Sequence, residues 1–183
     1  NGNHGYIDQL SEAKKLLVRE FGGTLFTIAK DVKLQLHFNP QQVAGYRLIG
    51  YENRLLATED FEDDKKDAGE LGAGHRVTAL YEIIPAGQPL PPLSKTDSAL
   101  VVSIAPDKEV KINADELFVV QLRYKQPNGN APSQLIEYRM NAAALNRQTE
   151  SDNLKLASTI AEFGLLLRQS KYRGNATYDQ TLA

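Results

Sequence analysis

The sequence predicts an α+β protein, in which an antiparallel β-sandwich-like module is flanked by an N-terminal helix and C-terminal helices. Apolar residues recur every three or four positions near both ends of the chain, which indicates amphipathic helices. Between these ends, apolar and polar residues alternate in six or seven short runs, a pattern typical of half-buried strands. Turn residues separate the runs, as they do in antiparallel sandwiches.

The composition excludes several classes of protein. The 183 residues are 42% hydrophobic and 24% charged with a formal net charge of −2, unlike a disordered chain. The absence of cysteine rules out a disulfide scaffold and any cysteine-based metal or redox site. The chain has no excess of basic residues to bind nucleic acid, since it contains 21 Lys and Arg and 23 Asp and Glu. No apolar run approaches the roughly 18 residues of a membrane span. The first residue is Asn1 rather than methionine, which predicts that the chain is part of a longer protein.

The N-terminal helix is predicted to begin after Asp8, which suits the N-cap position, and to continue to about Lys30. Gly22 and Gly23 interrupt it, at a cost of about 1 kcal/mol each relative to alanine. The apolar phase does not reset across the glycines, which favours one helix; two helices with a break there are the alternative. The positions that carry this phase are Leu10, Ala13, Leu17, Phe21, Leu25, Ile28 and Val32.

The hydrophobic period changes to two at Val32, which predicts a strand as far as Phe38. Its buried face is expected to carry the even-numbered residues, with Lys33, Gln35 and His37 on the polar face. Further strands are predicted over residues 43–51, 54–58, 75–84 and 99–104. Residues 59–67 are too charged to be buried and predict a loop, which the glycines of 69–74 continue, and the prolines of 86–97 indicate a linker-like segment.

The best hairpin pattern joins residues 116–125 to residues 134–140, with Asn128-Gly129 supplying the positive φ of a tight reversal. One face of the hairpin carries Phe118, Val120, Leu122 and Tyr124 on the first arm, and Ile136, Tyr138 and Met140 on the second.

The end of the chain is predicted to be helical. A long helix is expected from a capping box of Thr149 and Asp152 to a stop at Gly174, and Thr177 with Gln180 forms a second capping box.

The histidines and the acidic run give no metal-binding pattern. His4, His37 and His75 are too far apart for a helical zinc pair and are predicted to lie at the surface. Asp60, Glu62 and Asp64 alternate, but an EF-hand loop that began at Asp60 would need glycine and glutamate at the positions of Lys65 and Leu71. The acidic run is therefore interpreted as a solvated loop.

The glycine-rich run 69–74 gives no nucleotide-binding pattern. It precedes a strand pattern, whereas a dinucleotide fingerprint opens a helix and a P-loop ends in Gly-Lys-Ser/Thr. The sequence also contains no G-x-S-x-G and no cysteine nucleophile. We predict no catalytic, cofactor-binding or metal-binding residue in this chain, and a protein that is not an enzyme.

Several segments together resemble the C-terminal part of bacterial von Willebrand factor type A domain proteins of the YfbK type. The likeness covers most of the chain in the expected order, and the run 46–54 is quite specific, whereas residues 85–98 depart from the pattern and look shortened. The matching segments are residues 5–8, 23–33, Phe38-Asn39-Pro40, 46–54, 67–75, 161–168 and 172–176.

The resemblance implies two parts in this chain. Residues 1–30 would be the last strand and helix of a von Willebrand domain, and residues 31–183 the β-rich C-terminal domain with its terminal helices. The metal-ion-dependent adhesion motif of such domains, Asp-x-Ser-x-Ser, is absent, since Leu10 and Glu12 follow Asp8 at the relevant spacings. The resemblance thus implies a divalent metal only in an upstream von Willebrand domain, and no cofactor in this chain.

The function implied is that of a noncatalytic accessory module, which supports or positions a metal-dependent, protein-binding von Willebrand domain. The expected location is the bacterial cell envelope on its extracytoplasmic side, in the periplasm or on the outer surface, because many family members look like lipoproteins. Expected partners are the upstream domain itself and an unknown protein ligand, without nucleic acid or a direct membrane span. The alternatives are a carbohydrate- or peptide-binding sandwich and a hydrolase with an unrecognised site. If upstream strands complete the sandwich, an exposed sheet edge would favour dimers or strand addition.

Overall fold

The computed structural model describes residues 7–19, 26–50, 60–90, 102–103, 110–128, 131–145 and 151–182. The chain divides into two compact units. Unit 1 consists of Asn1–His37, Leu56–Val77 and Val119–Arg139, and unit 2 of Phe38–Leu55, Thr78–Phe118 and Met140–Ala183.

Two sheets and several helices make up the described residues. The first sheet has the strand order β3-β1-β6-β7 and the second has the order β4-β2-β5. The pairs β1–β3, β2–β4 and β2–β5 are antiparallel, and these elements confirm the predicted α+β class. In chain order the elements are α1 (Leu10–Lys14), a π-helical turn (Lys15–Arg19), β1 (Thr27–Phe38), β2 (Val43–Ile49), β3 (Gly69–Gly72), β4 (Leu80–Pro85), β5 (Val102–Ser103), β6 (Glu116–Lys125), β7 (Gln134–Asn141), α2 (Ala142–Leu145), α3 (Asp152–Leu167) and α4 (Tyr178–Leu182).

The predicted N-terminal helix to Lys30 is wrong at its C-terminal end. Helical structure is present from Leu10 to Arg19, and residues 27–30 already belong to β1, where Thr27 pairs with Gly72 and Ala29 with Leu71. This sheet pairing overrides the helical apolar spacing. Gly22 and Gly23 lie outside the described residues. β1 also crosses the predicted domain boundary between residues 30 and 31, and that boundary stays a prediction.

The glycine-rich run contains a strand where a loop was predicted. Residues 69–72 form β3, and the register of its pairing with β1 shifts between Ala29 and Val32. Asp31 lies at this irregularity with a φ of 50°, a conformation that a short polar side chain tolerates better than most. The next strand begins at Leu80 rather than at residue 75, because the chain first turns at Gly74, whose φ is 77°.

The predicted hairpin is confirmed in its elements. β6 has the predicted bounds, and β7 is one residue longer than predicted. β2 ends at Ile49, two residues before the predicted end. The predicted strand at 54–58, residues 91–97 of the linker-like segment, most of the strand at 99–104, and Gly129 all lie outside the described residues.

The long C-terminal helix is capped differently from the prediction. Its N-cap is Ser151, whose Oγ accepts a hydrogen bond from the Leu154 amide at 3.2 Å, and Thr149 lies outside the described residues. The helix does not extend to Gly174 as predicted, because it already ends at Leu167.

A Schellman motif ends this helix. Gln169 takes the left-handed conformation with a φ of 50°, and its amide donates to the Leu166 carbonyl at 3.0 Å. The Ser170 amide donates to the Leu165 carbonyl at 2.9 Å, which completes the motif. The capping box of Thr177 and Gln180 is confirmed by reciprocal bonds of 3.1 and 3.3 Å at the start of α4.

The core of unit 2 is centred on Phe38, which is 5% exposed. Its ring centroid lies 4.6 Å from that of Tyr46, 6.2 Å from that of Tyr81 and 6.0 Å from that of Phe118. The tilted and edge-on ring arrangements are those that aromatic pairs favour. In unit 1 the buried apolar side chains include Val119, Phe61 and Ala29.

Candidate functional site in the four-stranded sheet

In unit 1, the strands β1, β6 and β7 present two chemically different faces. The His37 Nε2 atom lies 3.1 Å from Gln121 Oε1, and Gln121 Nε2 donates to Glu137 Oε2 at 3.1 Å, so odd-numbered residues share one face. Even-numbered residues share the other face, because successive strand side chains alternate. The polar face carries Lys33, His37, Gln121, Arg123, Lys125 and Glu137 together with the apolar Val119 and Leu135, and the apolar face carries Leu34, Leu36, Val120, Leu122, Ile136 and Tyr138.

The acidic loop, residues 60–68, lies over the polar face. Lys33 is only 4% exposed, and its Nζ atom donates to the backbone carbonyl oxygens of Asp60, at 2.9 Å, and Asp63. Phe61 of the loop is buried, and the Arg123 guanidinium lies 5.4 Å from the centre of its ring. The loop is therefore attached to the sheet by one apolar anchor and by hydrogen bonds from a buried lysine.

A second lysine joins the loop to β1. The Lys125 Nζ atom donates to Asp31 Oδ2 at 2.8 Å and to the Asp64 carbonyl oxygen at 2.6 Å. The hydrogen bond from Lys125 lowers the pKa of the Asp31 carboxyl, and in return Asp31 raises the pKa of Lys125. Hydrogen bonds from Ser133 likewise lower the pKa of Asp64. The network therefore favours the charged form of each group. The ion pair joins β1 to β6, and hydrogen bonds from Lys125 and the Ser133 amide to Asp64 attach the loop.

The carboxylates of the acidic loop are bonded to separate protein partners. Asp60 Oδ2 lies 3.0 Å from Lys66 Nζ, Glu62 Oε1 lies 3.8 Å from an Arg123 nitrogen, and Asp64 Oδ2 accepts from the Ser133 amide. Among the described residues, no three His, Asp or Glu side chains gather closely enough to hold a metal ion. The acidic run is a loop, as predicted, and of these contacts the one with Arg123 attaches it to β6 and the one with Ser133 to the residues before β7.

The histidines divide between the surface and the interior. The predicted surface position of His37 is wrong, because its side chain is buried on the polar face beside Gln121. His75 is exposed, as predicted, and His4 lies outside the described residues. The alternation in β1 separated polar from apolar positions correctly, but it did not reveal which of the two faces the loop covers.

The apolar face is open where the prediction placed the core. Leu34 is 47% exposed, Ile136 is 50% exposed and Tyr138 is 56% exposed. The other apolar side chains of this face, on β1 and β6, are half-buried. For β1, the face predicted to be buried is thus exposed at Leu34, whereas Lys33 on the face predicted to be polar is buried.

Asn39 of the Phe38-Asn39-Pro40 segment fixes a turn in unit 2. It is buried, and its Nδ2 atom donates to the carbonyl oxygens of Glu116 at 2.7 Å and Asn113 at 3.0 Å. Its Oδ1 atom accepts from the Gln41 amide at 2.9 Å. Because one amide side chain satisfies backbone groups on both sides, it joins the end of β1 to the start of β6.

Arg47 on β2 contacts two other segments of unit 2. Its buried guanidinium donates from Nε to Glu82 Oε2 at 2.7 Å and lies 4.4 Å from the centre of the Tyr172 ring. Burial raises the pKa of the neighbouring phenols of Tyr46 and Tyr81. These contacts link residues 46–54 and 172–176, two of the segments that carry the family resemblance.

The residues that organise this site were not singled out by sequence reasoning. Lys33, Asp31 and Lys125 read as ordinary solvated charges of two strands, since their partners lie 27 to 94 positions away in sequence. The sequence did contain one usable signal, because it has both an acidic loop and several Lys and Arg residues on the polar side of predicted strands. Within the described ranges, no helix is long and apolar enough to cross a lipid bilayer.

These features define an α+β chain with two antiparallel sheets and a loop that lysine hydrogen bonds and the buried Phe61 hold against one of them. The family described as "Uncharacterized protein YfbK, C-terminal" matches residues 23–183, and the chain belongs to this family. The uncharacterised protein YfbK of Escherichia coli (strain K12) is 38% identical over 182 residues. These residues are 98% of this chain but 30% of the E. coli protein, so the chain spans less than a third of that relative's length. No solved structure matches the chain.

Proposed function

We propose that this chain is a noncatalytic accessory module of a longer protein. It supports or positions a metal-dependent von Willebrand factor type A domain, which binds a protein ligand on the extracytoplasmic side of the bacterial cell envelope. The observation that carries the proposal is the family match, because the E. coli relative is more than three times as long as the matched region.

The chemistry of the described residues supports a packing role. The ionisable groups of the polar face bind one another or backbone carbonyl groups, as Lys33 and Lys125 do. Asn39 and Arg47 are buried and hydrogen-bonded to neighbouring elements. Side chains engaged in this way stabilise the fold.

The divalent metal of the proposal belongs to the other part of the protein. The sequence of this chain lacks Asp-x-Ser-x-Ser, the motif that holds the metal in von Willebrand domains. A thermal unfolding series with Mg²⁺, Mn²⁺ and Ca²⁺ separates the two parts. We expect no change in the melting temperature of the 183-residue chain, and an increase for the polypeptide that the complete gene encodes.

Two results would contradict the proposal. One is a metal-induced shift in the 183-residue chain as large as in the complete polypeptide, and the other is a complete gene that encodes no further domain. The hydrolase alternative is tested with nitrophenyl esters, phosphates and glycosides, for which we expect no turnover above the buffer blank. Glycan and peptide arrays with the same chain test the binding alternatives.

A further inference from the structure

The apolar face of unit 1 has no role in the contacts described so far. Its most exposed side chains are Leu34 on β1, and Ile136 and Tyr138 on β7. β6 lies between these two strands and contributes Val120 and Leu122 to the same face. The exposed groups are therefore neighbours across three adjacent strands and form one continuous apolar surface.

In β1 the arrangement reverses the usual solvation of an antiparallel sheet. Such sheets commonly pack their apolar face on the core and leave their polar face to water. Here the acidic loop covers the polar face at Lys33, which is 4% exposed, while Leu34, the next residue, is 47% exposed. β7 is exposed on both faces, so its apolar residues Ile136 and Tyr138 are uncovered as well. Continuous apolar surfaces of this kind mark sites where another protein surface binds.

We infer that the apolar face is the surface on which another part of the same longer polypeptide docks, through aliphatic and aromatic side chains. The inference rests on the proposed function, because it requires a longer polypeptide. Most of the E. coli relative lies outside the matched region, so a family member of that length contains enough chain to cover the face. The apolar face, as defined above, also carries no charged residue, which is typical of the core of a permanent interface.

Edge-to-edge association of two copies through β7 is a different arrangement, because it would not cover the apolar face. β7 ends the strand order of this sheet and carries the charged residues Glu137 and Arg139, with Arg139 Nε 2.7 Å from Glu137 Oε1. Charged side chains on an edge strand oppose strand-to-strand association. A second copy packed on the apolar face is an outcome of the test below.

Hydroxyl-radical footprinting measures side-chain exposure and tests the inference directly. The 183-residue chain and the polypeptide of the complete gene are oxidised under identical conditions, and the modified residues are quantified by mass spectrometry. Tyr138 is 56% exposed here, whereas the core residue Phe38 is 5% exposed, so docking should reduce oxidation of Tyr138 by roughly tenfold. Leu135 lies on the opposite face of the same strand, is 46% exposed, and serves as the unchanged control.

A matched pair of substitutions gives a second measurement. In the 183-residue chain, Tyr138→Lys and Leu135→Lys each replace an exposed side chain and should lower the melting temperature by less than about 3 °C. In the complete polypeptide, Tyr138→Lys places a charge in a covered apolar surface and should lower it by at least twice as much as Leu135→Lys. Normal folding of both variants in the short chain separates this effect from misfolding.

Equal oxidation of Tyr138 in both proteins would overturn the inference. The metal and turnover tests of the proposed function do not depend on this result, so the two proposals can fail separately. Protection of Tyr138 that rises with the concentration of the 183-residue chain, together with a dimer by light scattering, would also overturn the inference. In that case the occupant is a second copy.

Discussion

The assignment of the two faces of β1 makes a sharp prediction about two adjacent residues. Lys33 is 4% exposed and donates to two loop carbonyl groups, whereas Leu34 is 47% exposed. Lys33→Met keeps the aliphatic stem and removes the ammonium group, and Leu34→Thr keeps good strand propensity and removes apolar surface. The structure predicts that the loss of the lysine is the more damaging change, although it looks harmless in the sequence.

The magnitudes follow from what each side chain contacts. Hydrogen bonds that involve a charged group contribute roughly 1.5–3 kcal/mol each, but water can reach part of the loop, so Lys33→Met should cost about 2–3 kcal/mol. Full burial of a leucine is worth roughly 1.5–3 kcal/mol, and Leu34 is about half exposed, so Leu34→Thr should cost about 1 kcal/mol. For a chain of this length, each kcal/mol corresponds to about 2–4 °C in melting temperature.

Urea unfolding of the 183-residue chain, followed by circular dichroism, measures both changes. The expected order is wild type, Leu34→Thr and then Lys33→Met, with an unchanged denaturant slope for each variant. If Leu34→Thr were the more destabilising of the two, the apolar face would be the buried one, and the assignment of the two faces would be refuted.

Three further outcomes are expected. Asn39→Ala removes the side-chain donor that serves two carbonyl groups near the start of β6 and should cost about 2 kcal/mol in urea unfolding; an unchanged midpoint would exclude its role. The folded-state pKa of Asp31 is lowered by Lys125, so its stabilisation is complete above the unfolded value of about 3.9 and is lost as pH falls through the folded value. Asp31→Asn should therefore destabilise the chain at neutral pH, and its difference from wild type should shrink in acid; a difference independent of pH would contradict this. Ser151→Ala removes the N-cap of α3 and should cost about 1 kcal/mol, whereas Ser151→Asp should restore most of it.

Local sequence signals predicted the elements whose stability is decided locally. β6 begins and ends at the predicted residues, and the capping box of Thr177 and Gln180 forms the predicted pair of hydrogen bonds. The predicted end of α3 is wrong because Gln169 adopts the left-handed conformation that glycine usually adopts after a helix. The prediction placed the end at Gly174 because that residue is a glycine.

Burial depended on contacts that are distant in sequence. Alternation in β1 identified two faces, but the covered one was decided by a loop that begins 27 residues after Lys33 and supplies carbonyl oxygens to its ammonium group. β3 was missed for a related reason, since Gly69 and Gly72 have weak strand propensity and are ordered by pairing with β1. No candidate site was predicted, and the polar network under the acidic loop became visible only when the strands were placed side by side.

If the apolar face docks on another part of a longer polypeptide, a probe attached to that face should lose access there. The chain has no cysteine, so Tyr138→Cys introduces a single thiol into it, and Leu135→Cys provides a matched control on the other face. The decisive measurement is the rate of maleimide labelling at these two positions, in the 183-residue chain and in the complete polypeptide. We expect labelling at residue 138 to become much slower in the complete polypeptide and labelling at residue 135 to stay unchanged. Equal rates at residue 138 in the two proteins would contradict it.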